Sequence, residues 1–491
     1  MAEQGCGAGS LAGKIAVATI LSVATIWSGR AVGGQAGTAI ALRELKRAGT
    51  TTRVQTELKA KGLYRPGLPP GGTSGEARMP KPLTVEIDTR FIFDERIVES
   101  AATGMVGAAK VGQVNTAAFP AERGRALRAV RHVIEAGLAV NGEVRMMSAL
   151  LRPQVRFLVA ERRERDGPVV VISPAGPLTW NELELVQGLG DPLTLPDLLP
   201  ERPVAVGEHW RVRNSGAQAL SEYDVVTSNT LDASLESADT GTARIRLTGN
   251  IQGAARGGPG KMICEGSLTF DRRSARIDHL DLNRVETRQA GPVEAGLDIK
   301  STLTVSRQAA EPPAALSDAA LAGLSLEITP ARELLRLEMP GGTATLLHDR
   351  HWHMFWEDPK LIVLKRLNGG QVIAQCNLTP GPHAGQGRHQ DTTQFRDDIR
   401  RGQKKRFVQF LGAGEVDGNP AGGFRYKVGA QGREGQLGIV WYYYLVASPE
   451  GEQLLATFTL AEDHAKAFGD QDLDMIGSLQ WHKKMQPVSR D

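Results

Sequence analysis

Between Asn229 and Arg307 apolar side chains return at every second position. No other feature limits the fold of this chain so tightly, because period-two patterning over successive short segments fits only half-buried antiparallel strands. Leu231, Ala233 and Leu235 alternate as far as the turn Asp239-Thr240-Gly241, and Ala243, Ile245, Leu247 and Gly249 lead back from it. Strands are expected again at 262–270, 275–287 and 295–306. Such a meander predicts a mainly β region built as an antiparallel sandwich or open barrel. The 56 glycines and the low aromatic content, 5%, suit its many turns.

The same region starts at Leu83, where Leu83, Val85, Ile87, Thr89, Phe91 and Phe93 alternate with polar residues. A β-rich domain is therefore expected over 83–308. Within it, Gly124–Val140 carries both strand and helix signals and is read as a strand. Asn141-Gly142 follows it as a hairpin dipeptide, and Val144–Leu151 offers a partner strand. Strands are also expected at Arg156–Arg162 and Pro168–Ser173. Thr179 with Glu182 three residues on makes a capping box that opens a short helix to Gln187. Ahead of this domain, residues 37–82 read as a helical segment (TAIALRELKRAG) and a Pro/Gly-rich linker (RPGLPPGGTSGEARMPKP). A second linker, 309–321, contains Pro312-Pro313. Beyond it, 322–483 shows strands, a helix over Thr392–Lys405, more strands, a helix over Asp463–Met475 and a closing strand. That order is an α+β domain, an antiparallel sheet covered by helices.

Residues 1–36 have a different character. Lys14 precedes the apolar run Ile15–Trp27 (IAVATILSVATIW), and Ala31, Gly33, Gly34 and Ala36 follow it. The run is shorter than the ~20 residues that cross a bilayer as a helix. A cleaved signal peptide is favoured, with an uncleaved N-terminal anchor as the alternative. The remainder is then exported, periplasmic or otherwise extracytoplasmic, or tethered to the membrane by that segment. Lys and Arg total 58 against 55 for Asp and Glu, so a net charge of +3 supplies no field for nucleic acid. The clusters Glu161–Asp166 and Arg400-Arg401 with Lys404–Arg406 read as solvated edges. Cys264 and Cys376 each lie on a period-two apolar face and read as buried strand residues.

WHMFWEDPKLIVLKRL (352–367), IVWYYYLVAS (439–448) with GEQLLATFTL (451–460), and FGDQDLDMIGSLQW (468–481) make the C-terminal region resemble the PsbP-like fold. The middle region, with VAVGEHWRV (204–212) and LTFDRRSARIDHLDL (268–282), resembles β-rich domains of uncharacterised exported bacterial proteins. The first resemblance implies assembly and binding roles in a membrane-facing compartment, generally without catalysis. It supplies no motif whose residues transfer to this chain.

Two constellations are candidate sites. His351 and His353, two apart on an expected strand beside His348, face the same way and could share a divalent metal. The loop carrying His383, His389 and Asp391 could supply a further ligand. Against this, histidines on a strand are commonly ordinary surface residues. Trp352, Trp356, Tyr442 and Tyr444 could floor a ligand groove, but the strand carrying both tyrosines is apolar on both faces, which a central buried strand explains more simply. No nucleophile elbow and no zinc-protease helix is present, and Gly257-Gly258-Pro259-Gly260-Lys261 reads as a hairpin loop, not a phosphate loop. No catalytic or cofactor-binding residues are assigned, and no cofactor beyond that possible metal. The expected function is non-enzymatic binding of an envelope protein, a lipid or a hydrophobic small molecule through sheet surfaces or a cavity. The alternatives are a metal-dependent enzyme or sensor using His351 and His353, and a membrane-anchored structural protein.

Overall fold

The computed structural model describes residues 38–66, 81–99, 126–141, 143–145, 151–416 and 423–482. The apolar run, most of the first linker and most of Val144–Leu151 lie outside these residues. The fold is mainly β and antiparallel. The alternating segments form one open 13-stranded sheet. From one edge its strands run Val169–Ile172, Phe157–Arg162, Leu127–Val140, Leu83–Glu99, Thr51–Arg65, Gly296–Ala309, Arg276–Arg288, Gly258–Asp271, Thr242–Ala255, Asp232–Ala238 and His209–Arg211. Glu143–Arg145 adds to Leu127–Val140, and Val225–Asn229 adds to Thr242–Ala255.

The helical segment expected within 37–82 is a correction. Residues 38–50 are irregular, and Thr51–Arg65 is a central strand, paired with Leu83–Glu99 on one side and Gly296–Ala309 on the other. Thr52 lies opposite both Glu95 and Ala309. Helix propensity in 38–50 loses because Leu42 and the Glu44 side chain, paired with Arg307, are buried against the sheet, which holds the chain extended there.

One face of this sheet is filled by the chain itself. Met262, Cys264, Leu268, Leu280, Leu282, Leu303 and Val305 project into it from the strands. Leu195 and Leu198 of the 3-10 turn Leu195–Leu198, Ala217 and Leu220 of the helix Asn214–Ser221, and Leu199 and Val212 between them pack back onto them. Nearer the other edge, Leu183 and Val186 of the helix Trp180–Val186 cover Leu158, Ala160 and Val171. Leu316, in the second linker, is buried against Val130, Val159 and Ile172 on the opposite side.

The helix Trp180–Val186 starts as the sequence predicts. Thr179 Oγ1 accepts from the Glu182 N–H at 3.2 Å, and the Thr179 N–H donates to Glu182 Oε2 at 2.8 Å. Thr179→Ala should therefore cost about 1 kcal/mol, seen as a lowered urea midpoint with unchanged slope.

The C-terminal region holds a 7-stranded antiparallel sheet in the order Trp352–Asp358, Leu361–Asn368, Gln371–Gly381, Gln453–Ala461, Leu437–Ala447, Phe424–Glu434, Phe407–Glu415. Helix Thr392–Gln403 packs Phe395 and Ile399 against one face, on Val428, Ala430, Trp441 and Leu445. The single helix expected over Asp463–Met475 is instead two, Ala465–Phe468 and Gln471–Gly477, separated where Gly469 takes φ +57°. They cover the other face, burying Phe468, Met475 and Ile476 with Cys376, Leu378 and Phe458. The closing strand, Gln480–Trp481, joins a separate 3-stranded sheet with Ala344–His348 and Leu335–Glu338.

Candidate functional site

Strand Leu437–Ala447 is buried on both faces, and this decides where the aromatic candidates sit. Trp352, Tyr442 and Tyr444 are brought together around Phe458 and Phe468. Trp352 lies 6.0 Å from Phe458 and 6.3 Å from Phe468, Tyr444 is 5.9 Å from Phe458, and Tyr442 is 6.2 Å from Phe468. Tyr444 Oη donates to Asp472 Oδ2 at 2.6 Å, and Lys427 Nζ reaches the same oxygen at 2.6 Å. Burial, reinforced by the Asp472 carboxylate, pushes the Tyr444 hydroxyl well above its ordinary range. The arrangement is a packed aromatic core with one satisfied polar triad inside it.

Trp356 does not join them. Strict alternation from Trp352 would turn it inward, but the register slips between Met354 and Trp356, with Phe355 as the extra residue. Trp356 is consequently 38% exposed, and its indole N–H donates to Asp358 Oδ2 at 2.7 Å. No period in the sequence announces that bulge.

The three neighbouring histidines fall in different surroundings. His348 is buried with Nδ1 2.8 Å from the Asp349 carbonyl, and His351 is exposed. His353 is half-buried and meets Trp180 edge-on at 4.9 Å. Its Nδ1 has no hydrogen-bond partner among the described residues. Among the described residues no group of three or more His, Cys, Asp or Glu side chains is placed to hold a metal ion. Burial, and then the positive charge of Arg256, hold His353 at about 4, down from 6.5.

His353 belongs to a joint between the two large sheets that sequence reading missed. Its organiser is Arg256, at the tip of the hairpin between Thr242–Ala255 and Gly258–Asp271. Arg256 takes φ +45° and Gly257 φ +81°, the double positive of a tight hairpin turn. The hairpin tip thus precedes the glycine-rich run, most of which, Gly258 to Lys261, is already strand. Arg256 stacks over Trp180 at 5.0 Å, pairs with Glu184 at 2.7 Å and also pairs with Glu294. Trp180 passes the contact on to His353. Lys365 Nζ donates to the Pro292 carbonyl at 2.9 Å while lying 3.3 Å over the Phe355 ring. Arg350 donates to the Val171 carbonyl at 2.6 Å. A positive residue at a hairpin tip beside a glycine was the only signal available, and it is a common one.

The pH dependence of this joint follows from the sign of the His353 shift. Folded His353 binds its proton more weakly than the unfolded residue, so the unfolded state takes up more protons as pH falls. Stability should drop by about 2 kcal/mol between pH 6.5 and 4, after allowance for partial exposure. His353→Asn should flatten that part of a denaturation-against-pH profile while leaving the decline below pH 4.

No protein-family model matches this sequence, and no curated protein matches it. Solved structures give only faint likenesses. A crystal structure from Bacteroides thetaiotaomicron aligns with 9% identity and a TM-score of 0.23, over 30% of this chain and 48% of that one. Lipovitellin aligns with 8% identity and a TM-score of 0.28, over 55% of this chain and 26% of its own. The Pseudomonas aeruginosa protein OccK5 aligns with 8% identity and a TM-score of 0.11, over 85% and 98%. The chain thus spans under half the length of the first two. No helix among the described residues is long and apolar enough to cross a membrane.

Proposed function

We propose that this chain is an exported, envelope-associated protein that acts as a non-enzymatic scaffold, recognising a protein, lipid or other ligand through the surfaces and edges of its sheets. The observation that carries this reading is the filled face of the 13-stranded sheet. Where Leu195, Leu198, Ala217 and Leu220 pack onto its strands, the space that a carried ligand would need is occupied by the chain. Outer faces and edge strands remain for recognition. The C-terminal sheet, with helices on both faces, supports the PsbP-like reading of that region and the assembly role it implies.

Two measurements test this. Fractionation of cells expressing the full chain, with mass analysis of the mature N-terminus, should find protein outside the cytoplasm and cleaved near Ala36. A retained leader in the membrane fraction would favour the anchored structural protein, and an intact chain free in the cytosol would defeat the proposal. Titration of the purified protein with a fluorescent fatty acid should show no saturable one-to-one uptake. Tight stoichiometric uptake would replace the scaffold by a carrier.

A further inference from the structure

We propose that one edge of the C-terminal sheet, made by helix Thr392–Gln403, the turn Lys404–Arg406 and the strand Phe407–Glu415, docks on the surface of an anionic lipid bilayer. The inference is independent of the N-terminal apolar run and concerns the folded domain alone.

Six cations lie within eleven residues here: Arg396, Arg400, Arg401, Lys404, Lys405 and Arg406, all exposed. Only two carboxylates, Asp397 and Asp398, accompany them. Asp398 is already engaged by Arg401 and by the Gln390 amide. Arg406 approaches Glu434 no closer than 3.7 Å, and Arg396, Arg400, Lys404 and Lys405 form no ion pair with a described carboxylate. The helix dipole accounts for cations in the last turn, Arg400 and Arg401. It does not account for Lys404, which follows the helix at φ +48° and ψ −121°. Glycine adopts that conformation freely and lysine only under strain.

Apolar side chains stand beside this charge. Phe407–Glu415 is the outermost strand of its sheet and carries two bulges, one between Phe407 and Gln409 and one between Phe410 and Gly412. The extra residues are Val408 and Leu411, which are 55% and 51% exposed. Phe407 and Phe410 turn back under the helix, where Arg400 lies 5.6 Å and 5.4 Å from their ring centres and Arg396 lies 5.1 Å from Phe410. Basic residues next to protruding aliphatic ones match a bilayer interface, which offers anionic headgroups and a hydrocarbon boundary together. A nucleic acid or a soluble acidic polymer would use the cations but leave Val408 and Leu411 without a purpose.

The test is flotation of the full chain with phosphatidylcholine vesicles and with mixed phosphatidylcholine–phosphatidylglycerol vesicles. Attachment through the N-terminal run contributes to both, so the ratio of anionic to neutral binding is the readout. Each cation at the surface is worth about fivefold in binding. Arg400→Glu/Lys404→Glu/Lys405→Glu should therefore lower the ratio by about 100-fold or more, measured well below the thermal midpoint of the variant, which loses the Arg400 contacts. Val408→Ser/Leu411→Ser should weaken anionic binding by about tenfold. A ratio near one for the parent chain overturns the proposal, as does a ratio unchanged in the charge-reversed chain. Loss in the charge-reversed chain with full binding in the serine chain would overturn the part given to Val408 and Leu411 and leave a purely electrostatic surface.

Discussion

Replacing Arg131 by Met should cost about 3–5 kcal/mol of folding stability, making it the most damaging of the substitutions considered. Arg131 is 1% exposed on the inner face of the 13-stranded sheet, directly opposite Glu95, which is also 1% exposed. Its guanidinium bonds Glu95 at 2.9 Å and Asp191 through both nitrogens at 2.8 Å, and it lies 5.0 Å over the Phe93 ring. Close by, Arg307 bonds Glu44 at 2.7 Å and 3.0 Å, and Lys46 reaches Glu44 at 2.6 Å. Three cations face three carboxylates, and each carboxylate comes from a different part of the chain. Glu44 precedes the first described strand, Glu95 lies within Leu83–Glu99, and Asp191 is in the loop that fills the sheet. The network therefore ties that loop and the N-terminal segment onto the sheet. Without Arg131, Glu95 and Asp191 stay buried without the guanidinium that bonds them, while Arg307 and Lys46 remain bonded to Glu44. The control is Arg131→Met/Glu95→Gln/Asp191→Asn, which removes the stranded charge and should recover most of the loss in a guanidinium titration. If the triple variant is no more stable than the single one, the cost lies in packing and the electrostatic account fails. The same network sets the acid limit. Burial alone would raise the Glu44 pKa, but Arg307 and Lys46 outweigh it and hold the carboxyl at about 2, below its usual 4.5. Its contribution is thus complete above pH 4.5 and is lost as pH falls toward 2, by about 3 kcal/mol in all.

That network marks where sequence reading ends. The alternation from Leu231 to Val305 was legible because each strand hides one face, and burial of every second residue leaves a period that needs no partner to be recognised. The capping box at Thr179 and the helix expected over Thr392–Lys405 were legible for the same reason, as local geometry written in local spacing. Glu44, Arg131, Asp191 and Arg307 are scattered over more than 260 positions, and nothing in their surroundings predicts that they meet. Thr51–Arg65 was misjudged on the same grounds. A strand paired on both sides draws its stability from Leu83–Glu99 and Gly296–Ala309, neither of them adjacent in sequence, and the segment before it carries residues that favour helices. For the aromatic candidates, a strand apolar on both faces favoured core over groove, without saying which side chains meet. The packing of Trp352, Tyr442 and Tyr444 around Phe458 and Phe468 came from the approach of the helices Ala465–Phe468 and Gln471–Gly477, and Trp356 left them through a one-residue bulge.

Gly257→Ala should loosen the joint between the two sheets, at a cost of about 3 kcal/mol. Two separate effects contribute. The residue sits at φ +81°, where an L side chain adds about 1–2 kcal/mol. A β-carbon there would also lie 2.2 Å from the Gly370 carbonyl oxygen and 2.9 Å from Pro292 Cδ. Both are main-chain or ring atoms that cannot swing aside, so the hairpin tip has to retreat from the Asn368–Gly370 turn. Retreat pulls Arg256 away from Trp180 and Glu294, and Trp180 from His353, while both sheets keep their own cores. Calorimetry should show the consequence as a broadened or divided transition, since the Trp352–Ala461 sheet loses its hold on the larger one before either melts. The histidine effect should shrink with it. With Arg256 displaced and solvent admitted, His353 returns toward its ordinary pKa, and the fall in stability between pH 6.5 and 4 should be smaller than in the parent protein. A single sharp transition with an undiminished acid slope would mean that the glycine serves only the turn and that other contacts, those of Arg350 and Lys365 among them, hold the sheets together.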